Sequence, residues 1–150
     1  MSQIELVPVE EKHLSGMAKI EELSFSEPWS AEALRILLGE NAFGVVALEN
    51  GEPVAYGGMT YVLDEGSVAN IAVHPDHRRK GYGRAVLSRM LSEAEQRGLE
   101  LIFLEARESN LAALALYESM GFESVGIRKN FYRKPVESAV QMMWKGRKQI

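Results

Sequence analysis

The chain has 150 residues, 46% of them hydrophobic and 25% charged, with a net charge of −4, which predicts one soluble domain over 1–150. It contains no cysteine and three histidines, which excludes disulfides and thiol nucleophiles and leaves only His and carboxylates as metal donors, so no metal is expected. No segment reads as a signal peptide or as an apolar span of about 20 residues, and the acidic balance speaks against direct nucleic-acid binding; a cytoplasmic protein without a membrane partner is expected.

The elements follow closely on one another. "IELVPV" reads as a strand, and "EEKHLSGMAKIEELSF" reads as a helix with Leu14, Met17, Ile20 and Leu23 at helical spacing. After "SEPWS", Ser30 is placed to cap a second helix, "SAEALRILLGE". Three β-rich runs follow over "FGVVALENGEPVAYGGMTYVLDEGSVANIAVHP", split at Asn50-Gly51 and at Glu65-Gly66, as expected for an antiparallel meander ending at Pro75.

A third helix starts on "GYG", carries Val86, Leu87, Met90, Leu91 and Ala94 as its apolar stripe, and stops at Gly98. "LELIFLEAR" is a strand, "NLAALALYESM" a helix capped by Asn110 and ended at Gly121, and two further strands close the chain. The order β-α-α-β-β-β-α-β-α-β-β predicts an α/β fold, a mixed and mostly antiparallel twisted sheet with helices on both faces.

Charge is unevenly spread: residues 1–50 carry nine acids and three bases, residues 101–150 five acids and eight bases. Such a distribution is either a solvated surface or a means of attracting a basic substrate.

Residues 77–84, "HRRKGYGR", set four cations around two glycines. Glycines let backbone N–H groups approach a ligand and cations favour an anion, so the loop points to phosphate. It matches neither G-x-x-x-x-G-K-S/T nor G-x-G-x-x-G, since Val86 stands at the last glycine position of the second pattern.

Strand order and loop together resemble the GCN5-related N-acetyltransferase (GNAT) superfamily over nearly the whole chain. Its signature Q/R-x-x-G-x-G/A is met by Arg78, Gly81 and Gly83, after "NIAVHP" and before "SNLAALALYESMGFESVGIRKNFY". The resemblance implies that acetyl-CoA is the cosubstrate. Its pyrophosphate would lie on the N-terminal turn formed by Arg78, Arg79, Lys80, Gly81, Tyr82, Gly83 and Arg84, while the pantetheine arm would pair with the backbone of Ile71, Ala72 and Val73.

For catalysis, strand alternation puts Leu101, Phe103, Glu105 and Arg107 on one face. Glu105 there is either an ion-pair partner of Arg107 or a general base with a pKa raised by its surroundings. Tyr117, seven residues after Asn110, shares a helix side with it and is either a packing aromatic or a proton donor.

"LEARESNLAALALYESMGF" resembles the bacterial ribosomal-protein-alanine N-acetyltransferase subgroup, which implies Glu105 as proton acceptor, Tyr117 as proton donor and Asn110 as a CoA contact. "SFSEPWS" and "RKNFY" resemble subgroup segments as well, with Phe131 where Tyr is commoner. They point to Trp29 and Tyr132 as residues flanking a peptide N-terminus, with partly buried packing as their alternative.

His74 and His77 read as loop residues without metal-ligand spacing. The implied function is direct transfer of acetyl to a protein α-amine, a ribosomal protein with N-terminal alanine being the acceptor the subgroup suggests. The alternatives are a lysine or small-amine acetyltransferase and a CoA-binding regulator without catalysis.

Overall fold

The computed structural model describes residues 4–146. Seven strands, β1 (Ile4–Pro8), β2 (Ala42–Glu49), β3 (Glu52–Val62), β4 (Glu65–Val73), β5 (Leu101–Arg107), β6 (Glu123–Tyr132) and β7 (Glu137–Lys145), form a sheet ordered β1-β2-β3-β4-β5-β7-β6. Helices α1 (Leu14–Ser24) and α2 (Ala31–Leu34) follow β1, α3 (Tyr82–Gln96) follows β4 and α4 (Leu111–Ser119) follows β5. This is the element order read from the sequence. The sheet is mixed: β4 and β5 pair in parallel over Glu65–Ser67 and Leu101–Phe103, whereas β1/β2, β2/β3, β5/β7 and β6/β7 are antiparallel.

The fold consists of two compact units. One runs to Thr60 and resumes over Ala69–Glu93; the other comprises Tyr61–Val68 and the chain from Ala94 onward. In the first, Leu14, Met17 and Ile20 of α1 join Leu34, Leu37, Val46 and Tyr56 in one core.

Leu23 does not belong to it. It is 46% exposed, and Glu21, fully buried, takes the inward position. At 100° per residue Glu21 lies seven residues, almost two whole turns, beyond Leu14, whereas Leu23 lies nine beyond and faces the other way.

The second helix is also shorter than its pattern. After four residues it tightens into a 3-10 turn over Arg35–Leu38, with the Ser30 hydroxyl accepting from the Ala33 N–H as its N-cap.

Two adjacent glycines let layers approach β3 closely. A Cβ on Gly57 would meet Met90 and Val86 of α3, and one on Gly58 would meet Leu37. Neighbouring strand residues point to opposite faces, so α3 and the α2 segment cover opposite sides of β3.

The β3–β4 turn falls at Leu63–Asp64 and not at Glu65-Gly66. Leu63 takes the positive φ of 56° that the turn needs, and Glu65 and Gly66 are thereby left to pair with Leu101 and Ile102.

In the second unit, Ile102, Leu104 and Ala106 point inward from β5, and Met142 and Trp144 are buried on β7. Leu101, Phe103, Glu105 and Arg107 are half-buried on the opposite face, as alternation requires. β5 starts two residues later than the "LELIFLEAR" run, because Gly98 and Leu99 close the end of α3 through N–H bonds to Glu95 and Ala94.

Candidate active site

In the first unit, a left-handed bend leads into α3. Arg79 has φ 65° and Gly81 φ 82°, and an added Cβ on Gly81 would project into open space. The first intrahelical bond runs from the Ala85 N–H to the Gly81 carbonyl. The Tyr82 and Gly83 N–H groups therefore belong to the helix's N-terminal turn, which has no carbonyl of its own helix to meet.

Arg78, Arg79, Lys80 and Arg84 are exposed around this turn. Positive charge, open space and a helix N-terminus fit a diphosphate. Arg78 is additionally tethered: its Nε donates to the Val73 carbonyl at 3.2 Å and Nη2 to the Ser24 hydroxyl at 3.3 Å. It thus joins the loop to the end of β4 and to α1. On β4, Ala72 is buried while Ile71 and Val73 are half-buried.

The loop rests on a group that sequence reading passed over. His77 Nδ1 lies 2.8 Å from Glu49 Oε2, the Tyr82 hydroxyl lies 3.4 Å from Glu49 Oε1, and the rings of His77 and Tyr82 stack at 6.4 Å. His77 is a loop residue, in the turn Pro75–His77, whose Nδ1 approaches a carboxylate from the end of β2 without hydrogen-bond geometry. His74 caps the short turn Pro75–His77 by accepting the Asp76 N–H.

A second unforeseen group centres on Glu21. Its Oε1 accepts the Trp29 N–H at 2.9 Å; its Oε2 accepts the Tyr56 hydroxyl and, at 2.6 Å, the Asn70 amide. Burial holds the Glu21 carboxyl above its ordinary range, against the pull of these donors. Burial and the adjacent Glu21 charge push the Tyr56 phenol up as well. The sequence signal was present, since Glu21 falls at the inward heptad spacing from Leu14.

Trp29, partly buried against the core, lines a groove of about 460 Å³ with Pro28, Ser30, Ala33 and Ile36.

The second unit brings together Glu105, Tyr117 and Tyr132. Glu105 does not pair with Arg107. That guanidinium is engaged by Glu137 at 3.1 Å and by the Pro135 and Arg133 carbonyls at 3.0 Å, and it lies 4.5 Å from the centre of the Tyr132 ring.

Among the described residues Glu105 has Arg128 beside it at 3.9 Å, with side-chain exposures of 54% for Arg128 and 26% for Glu105. A pair that long and that wet is weak.

Tyr117 packs against Phe122 at 5.9 Å. Burial, with a smaller contribution from the Tyr132 phenol, pushes its hydroxyl up to about 12. Tyr132 is raised by burial and by Glu105, with Arg107 opposing. Asn110 caps α4, its Oδ1 accepting the Ala113 N–H at 3.2 Å. Phe131 packs edge-on against Tyr132 at 5.0 Å.

The acetyltransferase (GNAT) family model matches residues 14–122. The chain belongs to this family. Among its relatives, the [ribosomal protein bS18]-alanine N-acetyltransferase of Escherichia coli (strain K12) is 40% identical over 124 residues, covering 83% of this chain and 84% of that one. The protein of the same name from Haemophilus influenzae is 35% identical over 145 residues, 95% of each. The crystal structure of the ribosomal-protein-S18-alanine N-acetyltransferase from Escherichia coli superposes with a TM-score of 0.90 at 36% identity, covering 95% of this chain and 94% of that one. The fold read from element order is thus that of a GNAT acetyltransferase, and the chain is an N-acetyltransferase.

Proposed function

We propose that this single-domain GNAT enzyme, residues 1–150, acetylates the N-terminal α-amine of a protein in the cytoplasm, with a ribosomal protein beginning with alanine as its acceptor and acetyl-CoA as its acetyl source. The observation that carries the chemistry is the presence in one unit of a carboxylate free of strong ion pairs, Glu105, and a phenol pushed up to about 12 by burial, Tyr117. The acceptor class is supported by the names of relatives that are 35% and 40% identical over most of the chain.

Acetyl-CoA, when bound, supplies an acetyl group activated as a thioester. The turn Arg78–Arg84 holds its pyrophosphate and the backbone of Ile71–Val73 its pantetheine arm, with Asn110 as a further contact. Glu105 takes the proton that an α-ammonium must lose before its nitrogen can attack. Tyr117 returns a proton to the departing sulfur. A phenol pushed up to about 12 stays protonated throughout the neutral range and is ready to donate. Trp29 and Tyr132 are the proposed acceptor contacts, and the proposed transfer is direct, the chain having no cysteine to carry an acetyl-cysteine intermediate.

An α-amine titrates about 2.5 pH units below a lysine and is far more often neutral at pH 7. A peptide with a free N-terminal alanine is therefore expected to take the acetyl group. The same peptide blocked at its N-terminus but carrying internal lysines is expected to take none. Mass-spectrometric localisation of the label on lysine would replace this reading with that of a lysine acetyltransferase, and absence of CoA release with every peptide would leave a CoA-binding regulator.

A further inference from the structure

We propose that Glu21 is a positioning residue for the acceptor: its two carboxylate oxygens fasten the Pro28–Trp29 segment to β3 and β4 and so fix one wall of the groove beside Trp29. The inference deepens the reading of this chain as a peptide N-acetyltransferase and rests on it.

Glu21 is fully buried on a helix face otherwise given to Leu14, Met17 and Ile20. An apolar side chain would fill that place without removing a charge from water. What a carboxylate adds is direction, because each bond aims at one particular donor. Trp29 lies in a stretch with neither helix nor strand, so its N–H has no ladder partner, and Glu21 Oε1 supplies the acceptor at 2.9 Å.

The other oxygen receives Tyr56 from β3 and Asn70 from β4. Asn70 is itself oriented, since its Oδ1 accepts the N–H of Ile71 at 3.1 Å, the first residue of the proposed pantetheine strand. One buried carboxylate thus holds the acceptor segment and the cofactor strand to the same point.

The bonding pattern specifies how substitution acts. All three partners donate. In Glu21→Gln the new amide nitrogen can face only one of the two directions: towards Trp29 it opposes that N–H, and towards the other pair it opposes the Asn70 amide, since the Tyr56 hydroxyl can turn to accept. Facing Trp29 it keeps both Tyr56 and Asn70 on the remaining oxygen, and this is the expected arrangement, in which acceptor binding is lost without cofactor binding.

The chain has two tryptophans, so 5-fluorotryptophan labelling gives two fluorine resonances, assigned with Trp29→Phe. In Glu21→Gln the Trp29 resonance is expected to shift and broaden while that of Trp144 stays. The KM for an N-terminal-alanine peptide is expected to rise by about tenfold or more, the loss of a hydrogen bond to a charged group. Turnover and acetyl-CoA affinity should stay within about threefold of wild type. Tyr56→Phe, which cuts the tie to β3 but leaves the Trp29 N–H on Oε1, should move the Trp29 resonance and the peptide KM less than Glu21→Gln does.

Should Glu21→Gln fail to fold, Glu21→Met removes both acceptors, so the Trp29 resonance is expected to shift and the peptide KM to rise by a larger factor than the acetyl-CoA Kd, which changes too because Asn70 is released. An unmoved Trp29 resonance, or a loss shared equally by peptide KM, turnover and acetyl-CoA affinity, overturns the proposal. If the wild-type protein acetylates no α-amine peptide while the Trp29 resonance still responds to Glu21→Gln, the functional reading fails and the anchoring of Trp29 stands.

Discussion

Glu105 and Tyr117 are the proposed acceptor and donor of the proton transfer, and pH tells the two roles apart. Glu105→Gln removes the acceptor, so turnover near neutrality should fall by about 10²-fold, the low end of what positioned acid–base groups contribute. Raising the pH should restore part of it, because solution then deprotonates the amine. Tyr117→Phe should lose a similar factor without that recovery, since its missing proton belongs to the leaving sulfur. With the wild-type phenol pushed up to about 12, the wild-type profile should show no descending limb from Tyr117 below pH 9. Turnover profiles from pH 6 to 9 decide the matter: two variants that track wild type would make both residues packing elements. Tyr117 was singled out because its segment carries a family pattern, and its place on α4 against Phe122 follows that reading of the helix. The weakness of the Glu105–Arg128 contact was not legible, because Arg107 found its partners in Glu137 and in the carbonyls of Arg133 and Pro135, residues more than twenty positions along the chain.

At the level of elements, the third helix was the most readable part of the chain, since its start on a glycine pair, its apolar stripe and its glycine stop are all local signals. Hairpins were readable only where the turn used its preferred residues: Asn50-Gly51 was found, whereas Leu63–Asp64 was hidden because an exposed leucine adopts a conformation usually left to Gly or Asn. Glu21 escaped because a leucine at Leu23 completed an attractive stripe. The two kinds of glycine at α3 also make different predictions. Gly83 lies in the helix's first turn, where valine is no worse a helix former than glycine. Gly83→Val should therefore leave the melting temperature within a few degrees while weakening acetyl-CoA binding by about tenfold or more, through a side chain placed in the diphosphate's space. Gly57 faces Met90 and Val86, so Gly57→Ala should cost about 1–3 kcal/mol of stability by overpacking and leave the affinity of the folded protein unchanged. Calorimetric titration and thermal melts of both variants test the assignment; unchanged acetyl-CoA affinity in Gly83→Val would remove the phosphate cradle.

At the scale of the whole chain, a net charge of −4 conceals a gradient, with nine acids against three bases in residues 1–50. That segment contains Trp29 and the groove residues Pro28, Ser30, Ala33 and Ile36. Exposed acids such as Glu22, Glu27 and Glu40 have no cation adjoining them in sequence, while Glu32 and Glu11 are engaged by Arg35. An acceptor rich in lysine and arginine, as a nucleic-acid-binding protein would be, should be drawn to this acidic segment. The attraction acts over distances comparable to the Debye length of about 10 Å at 0.1 M salt. Acetyl-CoA, an anion whose proposed cradle is the cationic turn of residues 78–84, should respond to salt as well, so the acceptor effect must be read with acetyl-CoA saturating at every ionic strength. Under that condition, raising salt from roughly 0.02 to 0.3 M should increase the KM of a cationic N-terminal-alanine peptide by about threefold or more and leave turnover nearly constant, because screening weakens encounter and not chemistry. A peptide of the same length with alanine first and neutral residues after it should show a flat KM. Equal salt dependence for both peptides would mean that the acidic segment is solvated surface and that acceptor choice rests on the groove alone.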